Sequence, residues 1–428
     1  VTEAQAARGT NPWLALFALL VVGIFNYADR FLVTGLVGPL KETFQVGDGF
    51  IGLLMGPAFV LLFVAAGVPI ARIADRRSRV KIIALGCVMW SACTVATGLA
   101  VSPWQIALAR VGVGVGEAAF AAPAYSLLAD FFRPERRGLA FAILGLTTYI
   151  GQIAGQAGGP AVAAEYGWRT AFWGLGAAGL TFGLILPLIV KDPPRGGRVA
   201  PSATIPFREL IATLRAAPSY LLMALAFGLG SLSGVSFGFW GPEVFARAYG
   251  VDPVVAKSTF AGYFGIAGLT GMLAFGAVTD RLSKRSMQWP LRLGAIALFA
   301  ATVCVLAATW APSLTIAKAL AIPSGLMGGG WSIGFLATLA YVLPDRFRAT
   351  ATALFLAATT LLGFFIGPWA AGQISQSLGN DAMSLRIGLS VTIPAGFVAA
   401  ALAWIAMRRV EADRERLAQA AGDPGSPM

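Results

Sequence analysis

The sequence predicts an all-α membrane protein: twelve transmembrane helices in two pseudo-symmetric six-helix bundles. Three observations predict it. The 428 residues are 57% hydrophobic and 12% charged, with a mean hydropathy of +0.74; soluble domains carry about 25% charge. A single globular core cannot hide that much apolar surface, which excludes a soluble enzyme, and disorder requires the opposite composition. The apolar residues fall into twelve runs, each near the ~20 residues that cross a bilayer as a helix. The basic residues cluster in alternate connecting segments.

The runs are taken in order. Residues 1–12 carry no signal-peptide pattern and are expected to be a cytoplasmic N-terminus. Span one, 13–37, has polar residues inside it and reads as a retained span rather than a cleaved leader. Spans two to six follow at 50–73, 80–100, 104–130, 138–163 and 168–190, completing an N-terminal bundle over 13–190. The longest hydrophilic interruption, 191–218, contains Pro-Pro-Arg-Gly-Gly at 193–197 and reads as a linker. Spans seven to twelve lie at 219–241, 258–279, 289–311, 313–342, 349–374 and 384–407, a C-terminal bundle over 219–408. Interior prolines such as Pro57, Pro123, Pro187 and Pro323 are tolerated in membrane helices. The polar tail, 409–428, is expected to be a frayed helix followed by coil.

The formal charge of +12 invites a nucleic-acid reading, and its distribution rejects it. Of 32 basic residues, Lys41, Arg169, Arg247, Lys257 and Arg386 fall on one side, and Arg30, Arg110 and Lys318 fall inside spans. All the others fall on the side that holds both termini. Such asymmetry is the positive-inside signal, with both termini cytoplasmic. The same charge can attract anionic lipid headgroups. The three cysteines, Cys87, Cys93 and Cys304, lie in apolar runs, which excludes a disulfide scaffold or cysteine-rich metal centre. There is no histidine, which excludes His-built zinc sites, triads and proton relays, and proton chemistry falls to carboxylates, Lys, Tyr or Cys; no metal site and no cofactor is expected.

The halves resemble each other. Ala71–Lys81 reads A-R-I-A-D-R-R-S-R-V-K and Gly276–Arg285 reads G-A-V-T-D-R-L-S-K-R, each after the second span of its half. Gly38-Pro39 matches Gly241-Pro242, and Pro134-Glu135-Arg136-Arg137 matches Pro344-Asp345-Arg346-Phe347-Arg348. Parallel six-helix repeats are a transporter architecture whose substrate site lies near the midplane between the halves. These loops, with Gly167-Trp168-Arg169-Thr170-Ala171-Phe172 opening span six, resemble the major facilitator superfamily over roughly residues 13–408. Ala71, Ser78 and Ser283 depart from glycines usual in that motif. The resemblance implies a gating motif at Asp75, Arg76, Arg79, Asp280 and Arg281, with Asp75 facing the end of a neighbouring helix; a solvated turn that stabilises helix ends is the other reading.

Ionisable residues inside the membrane are costly and are functional candidates. Span one contains Asn26-Tyr27-Ala28-Asp29-Arg30-Phe31, and span four contains Arg110-Val111-Gly112-Val113-Gly114-Val115-Gly116-Glu117-Ala118. The four charges sum to zero, so mutual pairing makes them bearable. Arg110 and Glu117 are two turns apart on one face, and the glycines permit close approach of another helix. Asp29 and Arg30 are adjacent, so only one is expected to point fully into a cavity. Either these are static ion pairs locking two spans, or a carboxylate loads and releases a proton as its surroundings alternate between apolar and cationic. Asp29 and Glu117 are the proton candidates; Arg30 and Arg110 are candidates for a substrate anion, since guanidinium binds phosphate and carboxylate bidentately.

This constellation, with Asp130-Phe131-Phe132 ending span four, is similar to the Spinster branch of the superfamily, specifically a bacterial member. That resemblance implies a proton-coupled transporter of amphipathic lipids, lysophospholipid or sphingosine-phosphate in type, working as a monomer in a bacterial inner membrane among membrane lipids. Ala119-Phe120-Ala121-Ala122 departs from the hydroxyl-bearing residues more usual there, which puts headgroup hydrogen bonding by this helix in doubt. Asn26, Trp331 and Trp369 are candidate substrate contacts, although ordinary packing is an alternative for the tryptophans. Lys318, early in span ten, either snorkels to the surface or faces a cavity. A multidrug/proton antiporter and an uncoupled facilitator of organic anions remain rivals. No nucleophile elbow, H-E-x-x-H or ATP-binding loop is present, against an enzyme or a self-powered pump.

Overall fold

The computed structural model describes residues 10–74, 76–193, 214–215, 217–286, 288–343 and 345–420. Among them the secondary structure is helical, with no strand. Among the described residues twelve helices are long and apolar enough to cross a membrane: Pro12–Gly35, Asp48–Ala74, Arg79–Leu99, Pro103–Phe131, Arg136–Tyr166, Trp168–Ile189, Pro218–Ala248, Pro253–Ser283, Trp289–Thr309, Leu314–Val342, Ala351–Leu378 and Ala382–Met407. They are spans one to twelve, and each overlaps its sequence-derived counterpart.

The chain divides into two units by internal packing: Val1–Arg198 with Gly250–Ala261, and Val199–Tyr249 with Gly262–Met428. The start of span eight therefore packs with the first six spans. Within this first unit Lys257, 2% exposed, donates from Nζ to the Gly35 carbonyl (3.0 Å) at the end of span one. A cation there complements the negative end of the helix dipole.

In the first unit span one lies against span five. A Cβ at Gly155 would come within 2.6 Å of the Ala28 carbonyl, so only glycine permits this backbone approach. Span five does not stay α-helical here: Ala154–Gly158 is a π-turn. Pro160 accounts for it, since its ring crowds the carbonyl four residues earlier, at Gln156. Span eleven repeats the device, with a π-turn over Leu361–Ile366 ahead of Pro368. Span two breaks at Gly56 before Pro57, and span eight has a π-turn at Ala261–Gly265. The irregularities recur at near-constant offset, 154 to 361 and 56 to 261, as expected of a repeated fold.

The second unit has an aromatic core. Phe227 meets Trp331 at 4.8 Å and Phe355 at 5.1 Å between ring centroids, and Phe335 closes the cluster. The tail begins as the expected helix, but a docked one, and the expected coil at 421–428 lies outside the described residues. Val410–Ala420 is a helix whose Val410, Asp413 and Leu417 are buried. Asp413 Oδ2 accepts from the Ser219 backbone N–H (2.7 Å), filling an orphan donor at the start of span seven. Polar composition concealed this, because three inward residues spaced three and four apart suffice to dock a helix. Asp381 caps span twelve in the same way; hydrogen bonds from the Ser384 hydroxyl and backbone hold its carboxyl below the usual carboxylate range.

Candidate functional site

The four charges of spans one and four meet inside the first unit. Span four is α-helical over Pro103–Glu117, turns at Ala118–Phe120, and resumes at Ala121–Phe131. Pro123, which clashes with the carbonyl at Ala119, accounts for the turn. Glu117 is thus the last residue before the break.

The pairing is crossed. Arg110 Nη1 donates to Asp29 Oδ2 (2.5 Å), and Arg30 Nη2 donates to Glu117 Oε2 (2.6 Å). Asp29, Arg110 and Glu117 are each 1% exposed and Arg30 is 8% exposed. Asp29 and Arg30 are adjacent on span one. Both reach span four, because each finds its partner at a different level of that helix, Arg110 and Glu117 being two turns apart.

The two carboxylates differ in their hydrogen bonds. Asp29 uses both oxygens, Oδ1 accepting from the Thr94 hydroxyl of span three (2.5 Å). Glu117 uses only Oε2; its buried Oε1 has no hydrogen-bond partner among the described residues. Both guanidiniums lie over aromatic rings. Arg30 stands 4.6 Å from the Phe59 centroid, 5.1 Å from Tyr27 and 5.5 Å from Phe63, and Arg110 stands 5.4 Å from Phe59. Cation–π attraction supplies part of the solvation lost on burial. Span two supplies these Phe rings because Gly114 lets span four touch its backbone: a Cβ at Gly114 would strike the Phe59 carbonyl. Gly116 does the same for span three at Trp90.

Asn26, 3% exposed, lies one turn before Asp29 and Arg30, and its Nδ2 has no partner among the described residues. Trp331 and Trp369 belong to the second unit. Trp331 is 7% exposed in the aromatic core, so packing accounts for it; Trp369 is 36% exposed. Thr94 and Phe59 escaped sequence reasoning, since a threonine and a phenylalanine in apolar spans carry no distinguishing signal.

At the loop after span two, Arg76 is exposed, as are Asp280 and Arg281 in the second copy. Asp75 lies outside the described residues. Arg79 is the buried member, its side chain 4% exposed. It donates from Nε (3.1 Å) and Nη2 (2.8 Å) to Asp192 Oδ1, and from Nη1 to Asp130 Oδ2 (2.5 Å) and the Ser126 carbonyl (3.1 Å). One guanidinium ties the start of span three to the end of span four and to the stretch just after span six. Asp192, in the hydrophilic stretch after span six, was not singled out by sequence.

Among the described residues no cluster of ligating side chains could hold a metal ion. The site is a net-neutral, buried pair of ion pairs.

The Major Facilitator Superfamily model matches residues 19–368. An MFS-type efflux pump of Mycolicibacterium smegmatis is 29% identical over 94% of both chains. The sphingosine-1-phosphate transporter of Danio rerio is 28% identical over 88% of this chain and 78% of its own. Among solved structures, an inward-facing, unoccupied bacterial homologue of the human lysosomal transporter Spinster superposes with a TM-score of 0.83 at 25% identity, covering 94% of this chain and 98% of that one.

Proposed function

This chain belongs to the Major Facilitator Superfamily, and from that premise we propose that it is a proton-coupled secondary active transporter of an amphipathic, lipid-like substrate of the lysophospholipid or sphingosine-phosphate type. It is an integral membrane transporter resembling Spinster proteins, not an enzyme. Alternating access in a bacterial inner membrane, both termini inside, completes the proposal.

The crossed ion pairs carry the reading. In low dielectric, a charge without a partner is expensive. A proton arriving on Glu117 removes the anion that faces Arg30 Nη2. A phosphate or carboxylate headgroup supplies that anion bidentately. Proton and anionic headgroup are therefore favoured to bind together and to leave together. Glu117 is the stronger candidate for the moving proton, because Oε1 can carry it without breaking an existing hydrogen bond. Asp29, held by Arg110 and Thr94, is the firmer anchor, with Arg110 the second headgroup contact. Arg79, with the exposed Arg76, Asp280 and Arg281 and with Asp75, is assigned the gate.

The test uses protein reconstituted in liposomes with labelled lysophospholipid or sphingosine phosphate. An imposed pH gradient is expected to drive net movement of the wild type, with Glu117→Gln retaining equilibrium exchange but losing the response to the gradient. Indifference of the wild type to the gradient would remove the coupling. The efflux-pump relative supports a second reading, drug/proton exchange. A cationic drug would compete with the proton instead of accompanying it, so the sign of the pH effect on binding separates the two.

A further inference from the structure

A groove of about 450 Å³ runs between spans eight and ten, wholly within the second unit. It is lined almost entirely by apolar atoms, including those of Tyr263, Ile266 and Thr270 on span eight and Ile322 and Leu326 on span ten. The residues fall at spacings of three and four on span eight and four on span ten, so each set lies on one helix face and the groove is about 10 Å long. Tyr263 and Ile266 are exposed, as is Ile322.

One end of this apolar groove is charged. Lys318 lies one turn before Ile322 on the same face, four residues into span ten, about 6 Å from the helix start. Its ammonium sits 6.0 Å from the Tyr263 ring centroid, and among the described residues no carboxylate pairs with it. An ammonium at headgroup depth above an apolar floor matches a molecule with an anionic head and a hydrocarbon tail.

We infer that this groove holds one acyl chain of an anionic bilayer phospholipid whose phosphate pairs with Lys318. The tail exchanges one hydrocarbon environment for another, so it contributes shape and little free energy. Selection therefore rests on the head, and a zwitterionic lipid with the same chains binds more weakly because its own cation opposes Lys318. This site is separate from the ion pairs of the first unit.

The full-length protein in nanodiscs is exposed to phosphatidylglycerol carrying a photoreactive group on its acyl chain, or to phosphatidylcholine with identical chains. After illumination and digestion, labelling is mapped to the segments 262–270 and 318–326. Phosphatidylglycerol is expected to label both segments several-fold more than phosphatidylcholine. Lys318→Met is expected to level the two lipids, Lys318→Arg to restore the difference, and Ile322→Trp to reduce both. Inorganic phosphate at millimolar concentration is expected not to compete, and Glu117→Gln to leave the labelling unchanged. Equal labelling of the wild type by the two lipids, a preference that survives Lys318→Met, or loss of labelling in Glu117→Gln would overturn the inference.

Discussion

Replacing Asp29 with Asn removes the charge opposite Arg110 while leaving Arg110 buried. Both residues are 1% exposed, and Asp29 accepts hydrogen bonds on both oxygens. Breaking such a pair from one side costs about 3–5 kcal/mol, because the surviving charge is uncompensated. Arg110 retains the Phe59 ring at 5.4 Å, which returns about 0.5–2 kcal/mol at most. In the double variant Asp29→Asn/Arg110→Met no charge remains, and exchanging a whole buried pair for apolar volume is often neutral. Thr94 keeps its 2.9 Å bond to the Trp90 carbonyl. The double variant should therefore be more stable than Asp29→Asn by about 1–4 kcal/mol, the cost above less the residual ring contact. Glu117→Gln should be milder, about 1–3 kcal/mol, since the amide oxygen still accepts from Arg30 and three rings face that guanidinium. Equilibrium unfolding in mixed micelles, followed by tryptophan fluorescence, gives the order. Wild type and the double variant should lead, then Glu117→Gln, then Asp29→Asn. A double variant as unstable as the sum of its singles would refute the pairing argument.

Other outcomes follow from the same geometry. Arg79→Ala strips Asp130 and Asp192 of a shared partner and should destabilise the protein by about 3 kcal/mol in the same assay; Arg79→Lys should recover only part, because an ammonium cannot serve both carboxylates as a fork. Gly114→Ala drives a methyl into the Phe59 carbonyl and should cost about 1–3 kcal/mol with loss of transport, whereas Gly38→Ala, with open space around its added methyl, should leave both unchanged. Asp413→Ala removes the cap of span seven and should lower stability by about 1 kcal/mol, with faster hydrogen exchange at Ser219.

The fold was legible because a bilayer imposes one rule on every span. Backbone groups must be satisfied internally, so each apolar run of sufficient length is a helix. Length, composition and the repeated loops followed from that rule, and the shared offset reappears in the broken spans. The candidate site was legible in part. Charges inside an apolar run stand out, and a zero sum over Asp29, Arg30, Arg110 and Glu117 implies pairing. The tail was legible as a helix but its docking was not, since that needs only Val410, Asp413 and Leu417 turned inward among mostly polar neighbours.

What the sequence by itself determined is therefore the class of structure and the short roster of charges within it. Which charge meets which was decided by tertiary structure. Asp29 pairs with Arg110 and Arg30 with Glu117 because the glycines of span four and the turn before Pro123 set how the helices approach. The same packing decided that Thr94 completes Asp29, that Phe59 faces both guanidiniums, that Arg79 gathers Asp130 and Asp192, and that Trp331 is spent in a core. The physical reason is range. Burial and helix formation are dictated along one segment, whereas a hydrogen bond between residues 65 or 113 positions apart depends on the crossing of helices that local sequence does not encode.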